Sequence, residues 1–187
     1  TSQSICGLYF FIIEEFTCIK MLGDNLPVFW HQDMWHKRTG QCFTMGIYLD
    51  DADADDGALR IVPKSHISGK PICAAKDDPS VEALMKAGDI LIHDMMLAHS
   101  SRPMEKREKR RVIYFEFLSR QQVLQENIYS EELIQNRMQL LETAIRYYRE
   151  LHENAEAVNQ ETDIHAALAD IYSYKLRPRP STYCFEV

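Results

Sequence analysis

The stretch Trp30-His31-Gln32-Asp33-Met34-Trp35-His36 gathers two histidines and an aspartate within a few residues. In an extended backbone, residues i and i+2 project from one face, so a strand here sets His31 beside Asp33. An imidazole and a carboxylate are two ligands for a divalent transition metal. A third donor from elsewhere completes a two-histidine, one-carboxylate face and leaves open positions for other molecules. By itself HxD is a weak signal, because such pairs arise by chance. Two further residues strengthen it. His99 lies in Leu97-Ala98-His99-Ser100-Ser101, and Arg110 follows eleven residues later. A ferrous site that binds a 2-oxo acid needs a cation for the far carboxylate, and a guanidinium fork suits it.

Other donors compete for the same role. His36 could reach the metal only if the chain turned sharply after His31. His66 follows Pro63-Lys64-Ser65 and reads as a loop-fixing side chain. His93 ends an apolar run beside Asp94, placed to orient His99 or the metal-binding carboxylate. His152 and His165 fall in C-terminal helical segments and read as solvated. The acidic run Asp51 to Gly57 is not a calcium loop: Asp56 occupies the sixth position where glycine is needed, and Val62 the twelfth where glutamate is needed. It reads as an exposed hairpin turn. There is no GxSxG, no P-loop and no GxGxxG after a strand.

These residues need strands to position them, and the first two-thirds of the chain supplies strand patterns. Ile5 to Ile13 is an apolar, strand-sized run. Phe43, Met45, Ile47 and Leu49 alternate with Cys42, Thr44, Gly46 and Tyr48. Ala58 to Val62, Ile90 to His93 and Arg110 to Leu118 are further strands, and 69–78 reads as a loop. Many short strands with turns between them predict a sandwich or barrel. In such a sandwich the more polar side of a strand should face a wet pocket. From Arg110 that side is Val112, Tyr114 and Glu116; from Arg111 it is Ile113, Phe115 and Phe117. Arg110 is therefore the inward arginine. Thr44 and Gly46 are small enough to leave room in the pocket, with Phe43, Met45 and Ile47 packed behind.

After residue 120 the pattern turns helical. Ser130 followed by Glu131 and Glu132 is a helix start, with acidic groups at the positive end of the dipole. Ile134, Met138, Leu141, Ile145 and Tyr148 form a stripe widened by Leu133, Leu140, Ala144, Tyr147 and Leu151. Such a stripe packs on the domain's own sheet or forms a homodimer through this helix. A second short helix is expected over 163–172, before a proline-punctuated tail.

Composition bounds the partners. Of 187 residues, 45% are hydrophobic and 26% charged, an ordinary globular balance. Lys and Arg number 21 against 28 Asp and Glu, a net charge of −7. That acidity argues against nucleic acid, and no apolar run is long enough for a membrane span. The basic run Arg102 to Arg111 reads as a solvated loop entering a strand; it and the acidic turn would flank a pocket entrance with opposite preferences. Five cysteines, with no CxxC pair, indicate neither a disulfide framework nor a zinc knuckle, so a reducing, cytoplasmic setting is expected.

The stretches WHQD (30–33), DDADADDGALRIVPKSH (50–66), AGDILIHD (87–94), HSS (99–101) and RRVIYFEF (110–117) together resemble the phytanoyl-CoA dioxygenase family of Fe(II)/2-oxoglutarate-dependent oxygenases. The resemblance covers about residues 20 to 120. It implies a mainly β fold, a cupin-like double-stranded β-helix (jelly roll) spanning 1–120, its N-terminal part truncated. Residues 121–187 then form a C-terminal helical extension and tail, with helices on the outer face. It carries over His31, Asp33 and His99 as iron ligands, Arg110 as the 2-oxoglutarate clamp and Ser101 as its helper; Thr44, placed toward the pocket by alternation, is the further cosubstrate-binding candidate. The implied activity is hydroxylation of a small-molecule substrate, with O2 consumed and 2-oxoglutarate decarboxylated to succinate. Related halogenases lack the carboxylate that Asp33 provides, which favours hydroxylation; desaturation and cyclisation by the same chemistry stay open. Two departures stand out. The family usually has a longer, largely helical region before HxD, and Lys64 stands where the family often has glycine. Two alternatives remain: a jelly-roll scaffold without turnover, and a cupin-type metalloenzyme that does not use 2-oxoglutarate.

Overall fold

The computed structural model describes residues 10–34, 41–54, 56–119, 122–124, 129–153 and 182–184. His36, His165 and the helix expected over 163–172 lie outside them, as does the side chain of His152. In chain order the strands are β1 (Phe10–Met21), β2 (Val28–Gln32), β3 (Cys42–Tyr48) and β4 (Leu59–Ile61). Then come two single-turn helices, α1 (Ser65–Ser68) and α2 (Ile72–Ala75). They lead to β5 (Val81–Ala83), β6 (Ile90–Asp94), β7 (His99–Ser101) and β8 (Lys109–Ser119), and finally α3 (Glu131–Glu153) and β9 (Thr182–Tyr183). One sheet has the order β1-β8-β3-β6 and the other β5-β4-β7-β2-β9. Every ladder is antiparallel. This is the sandwich expected from the strand pattern and the jelly roll that the resemblance implies, with α2 falling in the segment read as a loop.

Cross-strand register sets the inner face in rows. His93, Thr44, Glu116 and Glu14 align across β6, β3, β8 and β1. The next row is Leu91, Gly46, Tyr114 and Phe16, and Arg110 faces Lys20 further along. The alternation argument therefore holds: Arg110 is buried, while Arg111 turns away and pairs with Asp50. Early in β1 the register shifts between Ile12 and Glu14, leaving Ile13 as an extra residue. Behind the sheet, Phe43 stacks on Phe117 at 4.6 Å with Phe10, Ile12, Met45 and Phe115 around them.

Gly46 departs from expectation. The space beside it is filled by the Tyr114 ring, and a Cβ there would lie 2.7 Å from Tyr114 Cε1. Lys64 adopts φ 64°, the left-handed conformation that glycine takes most readily. That accounts for the family's preference at this turn.

The acidic run is not an exposed hairpin turn. Asp56 is fully buried and its carboxylate accepts from the backbone N–H groups of Glu105, Lys106 and Arg107. Asp51 and Asp53 pair with Lys86 and Arg107. The acidic and basic segments thus neutralise each other instead of offering opposite charges at an entrance.

The Ser130 cap is as expected, its hydroxyl accepting from the Leu133 amide at 3.2 Å. The early turns of α3 pack against the sheets. Leu133 and Ile134 pack on a cluster that includes Phe11, Ile13, Met34 and Leu118, and Arg137 pairs with Glu15 on β1. Met138, Ile145 and Tyr148 stay exposed. Among the described residues no helix is long and apolar enough to cross a membrane.

The cysteine reading is corrected. Cys73 and Cys184 form a disulfide, with Cα atoms 5.1 Å apart across 111 residues of sequence. A pairing that distant leaves no local spacing signal, and the argument for a reducing compartment goes with it. Cys18 and Cys42 are free thiols.

Candidate metal and cosubstrate site

The β2–β7 ladder brings the two histidines together: His31 lies opposite His99, ring centroids 4.1 Å apart and tilted by 54°. Alternation carries Asp33, just past the end of β2, to the same side. One oxygen, Oδ1, sits 3.4 Å from Nε2 of both histidines. The donor atoms of His31, Asp33 and His99 all lie within 4.8 Å of one another, and all three residues are buried.

Each of the three is oriented by a partner. His31 Nδ1 is 2.8 Å from the Phe29 carbonyl and His99 Nδ1 is 2.8 Å from the Leu97 carbonyl. A carbonyl can only accept, so both rings carry hydrogen on Nδ1 and present a bare Nε2 to the centre. Thr44 Oγ1 donates to Asp33 Oδ2 at 2.7 Å, turning Oδ1 toward the histidines. Thr44 also lines the cavity, as expected of a pocket residue, and its hydroxyl hydrogen fixes the Asp33 carboxylate. His93 is buried beside His99, ring centroids 4.8 Å apart.

The electrostatics suit a cation. Burial would raise the Asp33 carboxyl, but the histidines around it, His99 foremost, hold it well below the usual carboxylate range. Burial pushes His99 down to about 3, and it lowers His93 as well. The set is two imidazoles that present Nε2 and one carboxylate, a donor set that fits Fe(II).

The same residues line a cavity of about 420 Å³ that also reaches Ser101, Arg110, Tyr114, Glu116, Tyr183 and Glu14. Arg110 is 1% exposed. Its Nη1 donates to the Gly57 carbonyl, Nη2 lies 3.9 Å from Cys18 Sγ, and Nε is buried with no hydrogen-bond partner. Next to it in register is Lys20, which sequence reasoning missed. Lys20 Nζ donates to Ser101 Oγ at 2.9 Å and to the Arg102 carbonyl. Burial and the neighbouring guanidinium lower its pKa to about 8. Among the described residues no carboxylate pairs with either cation. A buried positive end of this kind calls for an anion, and the orphaned Arg110 Nε fits the carboxylate of a 2-oxo dicarboxylic acid. The signal for Lys20 was present: Glu14, Phe16, Cys18 and Lys20 alternate, placing a lysine on the inner face.

A jelly roll that brings two histidines and an aspartate together in this arrangement offers a site that fits a non-haem iron. The model of the phytanoyl-CoA dioxygenase (PhyH) family matches residues 17–112, and the chain belongs to that family. Among solved structures it is similar to EvdMO1 at 27% identity and TM-score 0.59, covering 64% of this chain and 29% of that one. AviO1 from Streptomyces viridochromogenes Tue57 matches at 28% identity and TM-score 0.53, covering 57% of this chain and 49% of that one. HygX from Streptomyces hygroscopicus, solved with nickel and 2-oxoglutarate bound, shares the fold. Its identity is 13% and its TM-score 0.53, with 64% of this chain and 60% of that one covered. The chain thus spans less than a third of EvdMO1 and about half of AviO1. A comparison with curated proteins found no match.

Proposed function

We propose that this chain is the core of an Fe(II)- and 2-oxoglutarate-dependent dioxygenase that hydroxylates a small molecule, with 2-oxoglutarate decarboxylated to succinate. The observation that carries this reading is one cavity with two complementary ends. A metal-ready His31–Asp33–His99 face lies at one end, and the buried cation Arg110 lies at the other, with Lys20 beside it in register and bonded to the cavity-lining Ser101.

His31, Asp33 and His99 would hold the iron through Nε2, Oδ1 and Nε2. Bound iron with its 2-oxo acid supplies the oxidising chemistry. The protein's own residues do the rest. Arg110 Nε–H takes the far carboxylate. Lys20 fills a lone pair of Ser101 Oγ, so the Ser101 hydroxyl hydrogen is free to donate to the same anion. Thr44 and the Phe29 and Leu97 carbonyls hold the ligand atoms in place before anything binds. Phe16 and Tyr114, stacked at 5.2 Å, wall the cavity between the two ends. Burial raises the Tyr114 hydroxyl well above its ordinary range, so it stays neutral.

Arg110 and Lys20 separate this reading from a cupin that uses no 2-oxoglutarate, which has no need of a buried anion-binding end. The test is succinate production from 2-oxoglutarate by the Fe(II)-loaded chain, together with its loss in Asp33→Ala. Turnover unaffected by Asp33→Ala overturns the proposal.

A further inference from the structure

Strand β9 has two residues, yet it lies against the strand that carries His31. In that antiparallel pair His31 is opposite Tyr183 and Gln32 is opposite Thr182. Directly opposed residues point to the same face of a sheet, so Tyr183 shares the pocket side with His31. The two rings stack with centroids 4.8 Å apart and planes 12° apart, and Tyr183 lines the cavity.

The next residue must point the other way. Cys184 is 2% exposed on the back of the sheet, in a cluster with Val62, Ile72 and Ala98, and there it is bonded to Cys73 on α2. Its amide donates to the Trp30 carbonyl at 2.8 Å. One covalent link behind the sheet therefore sets the position of one ring in front of it. Two residues give too short a ladder to hold a strand by hydrogen bonds alone.

We infer that Tyr183 is a positioning residue for His31 and that the Cys73–Cys184 disulfide is the clasp that holds it there. This rests on His31 being a metal ligand. The Phe29 carbonyl fixes His31 Nδ1 but leaves the ring free to rock about that contact. Tyr183 blocks one face of the imidazole, and His99 lies against it at 4.1 Å. A dithiol reductant would deliver two electrons and two protons, break the S–S bond to two thiols and leave as a disulfide itself. Cys184 would then be held only by packing and the short ladder. Tyr183 would leave the stack more often, and His31 would bind metal less well.

The test uses Mn(II) as a redox-inert probe. Its affinity is measured by calorimetry on air-oxidised protein, and on protein reduced with dithiothreitol and desalted anaerobically. A non-reducing peptide map should first show Cys73 linked to Cys184. Reduction should then weaken Mn(II) binding roughly three- to tenfold, the range expected of an aromatic stack. Tyr183→Leu should lose as much while oxidised and respond no further to reduction; Tyr183→Phe should keep wild-type affinity and its response. Melting curves check that each variant is folded. No linked peptide, wild-type affinity in folded Tyr183→Leu, or an undiminished response of that variant to reduction overturns the inference alone. Absence of Mn(II) binding by oxidised wild type overturns the proposed metal site as well.

Discussion

Lys20 and Arg110 face each other across the β1–β8 ladder, two buried cations in register with no carboxylate between them among the described residues. Like charges held together out of water destabilise a folded chain unless an anion joins them. The fold accepts that cost at the end of the cavity remote from the histidines, which is where the account places the far carboxylate of 2-oxoglutarate.

Lys20 gives this end a pH dependence. Its pKa is lowered from 10.5 to about 8, so the free folded protein loses this proton while the unfolded chain still holds it. Between those two values the unfolded state binds more protons, and stability of the free protein rises with pH. An anionic ligand favours the protonated lysine, so its affinity is full below about 8 and falls as pH rises through that value. Calorimetric titration of 2-oxoglutarate across this range should show that fall in the wild type. Lys20→Met should bind roughly tenfold more weakly, with that pH dependence gone.

Thr44 acts on the metal through Asp33. Thr44→Val keeps the shape and removes the donor to Oδ2. Metal affinity should drop roughly 10- to 100-fold, the usual effect of losing a hydrogen bond behind a ligand. The melting temperature should move little. Equal metal affinity in Thr44→Val and wild type would refute the role given to this hydroxyl.

Gly46 has no room for a side chain. A Cβ would lie 2.7 Å from the Tyr114 ring, which is stacked on Phe16 and cannot move without entering the cavity. Gly46→Ala should cost about 1–3 kcal/mol of stability, as overpacking does. Urea unfolding measures it, and 2-oxoglutarate affinity should fall in parallel.

Asp56 holds the loop that leads into β8. Burial opposes its charge, but the three backbone donors and Arg107 keep its carboxyl below the ordinary value. A depressed folded pKa gives stability that is present above the unfolded value and lost as pH falls through the folded one. Asp56→Ala should destabilise by about 2–3 kcal/mol at neutral pH, through buried donors left unpaired. The difference should shrink in acid, as urea midpoints over a pH series would show.

What the sequence disclosed follows from the range of each signal. His31 and Asp33 were readable because period-two alternation is local, and Arg110 because the same alternation separates it from Arg111. His99 became readable through its fixed distance from Arg110. Lys20 was missed although alternation from Glu14 puts it on the inner face, because Ser101, the partner that gives it a role, is 81 residues away. Cys73 and Cys184 are 111 residues apart, and Tyr183 meets His31 only once β9 has joined the sheet. The acidic run was misread for the same reason, since the backbone donors that bury Asp56 come from residues 105–107. The tail, read as part of a C-terminal extension, supplies a strand beside the candidate metal site.

The most direct test of the central claim is an anaerobic titration of 2-oxoglutarate into the Fe(II)-loaded chain, read by the visible metal-to-ligand charge-transfer absorption of the chelate. The band should appear with wild type, be absent in Asp33→Ala, and in Arg110→Ala require far more 2-oxoglutarate. Iron binding without the band, or a band equally strong and equally tight in Arg110→Ala, would contradict that claim.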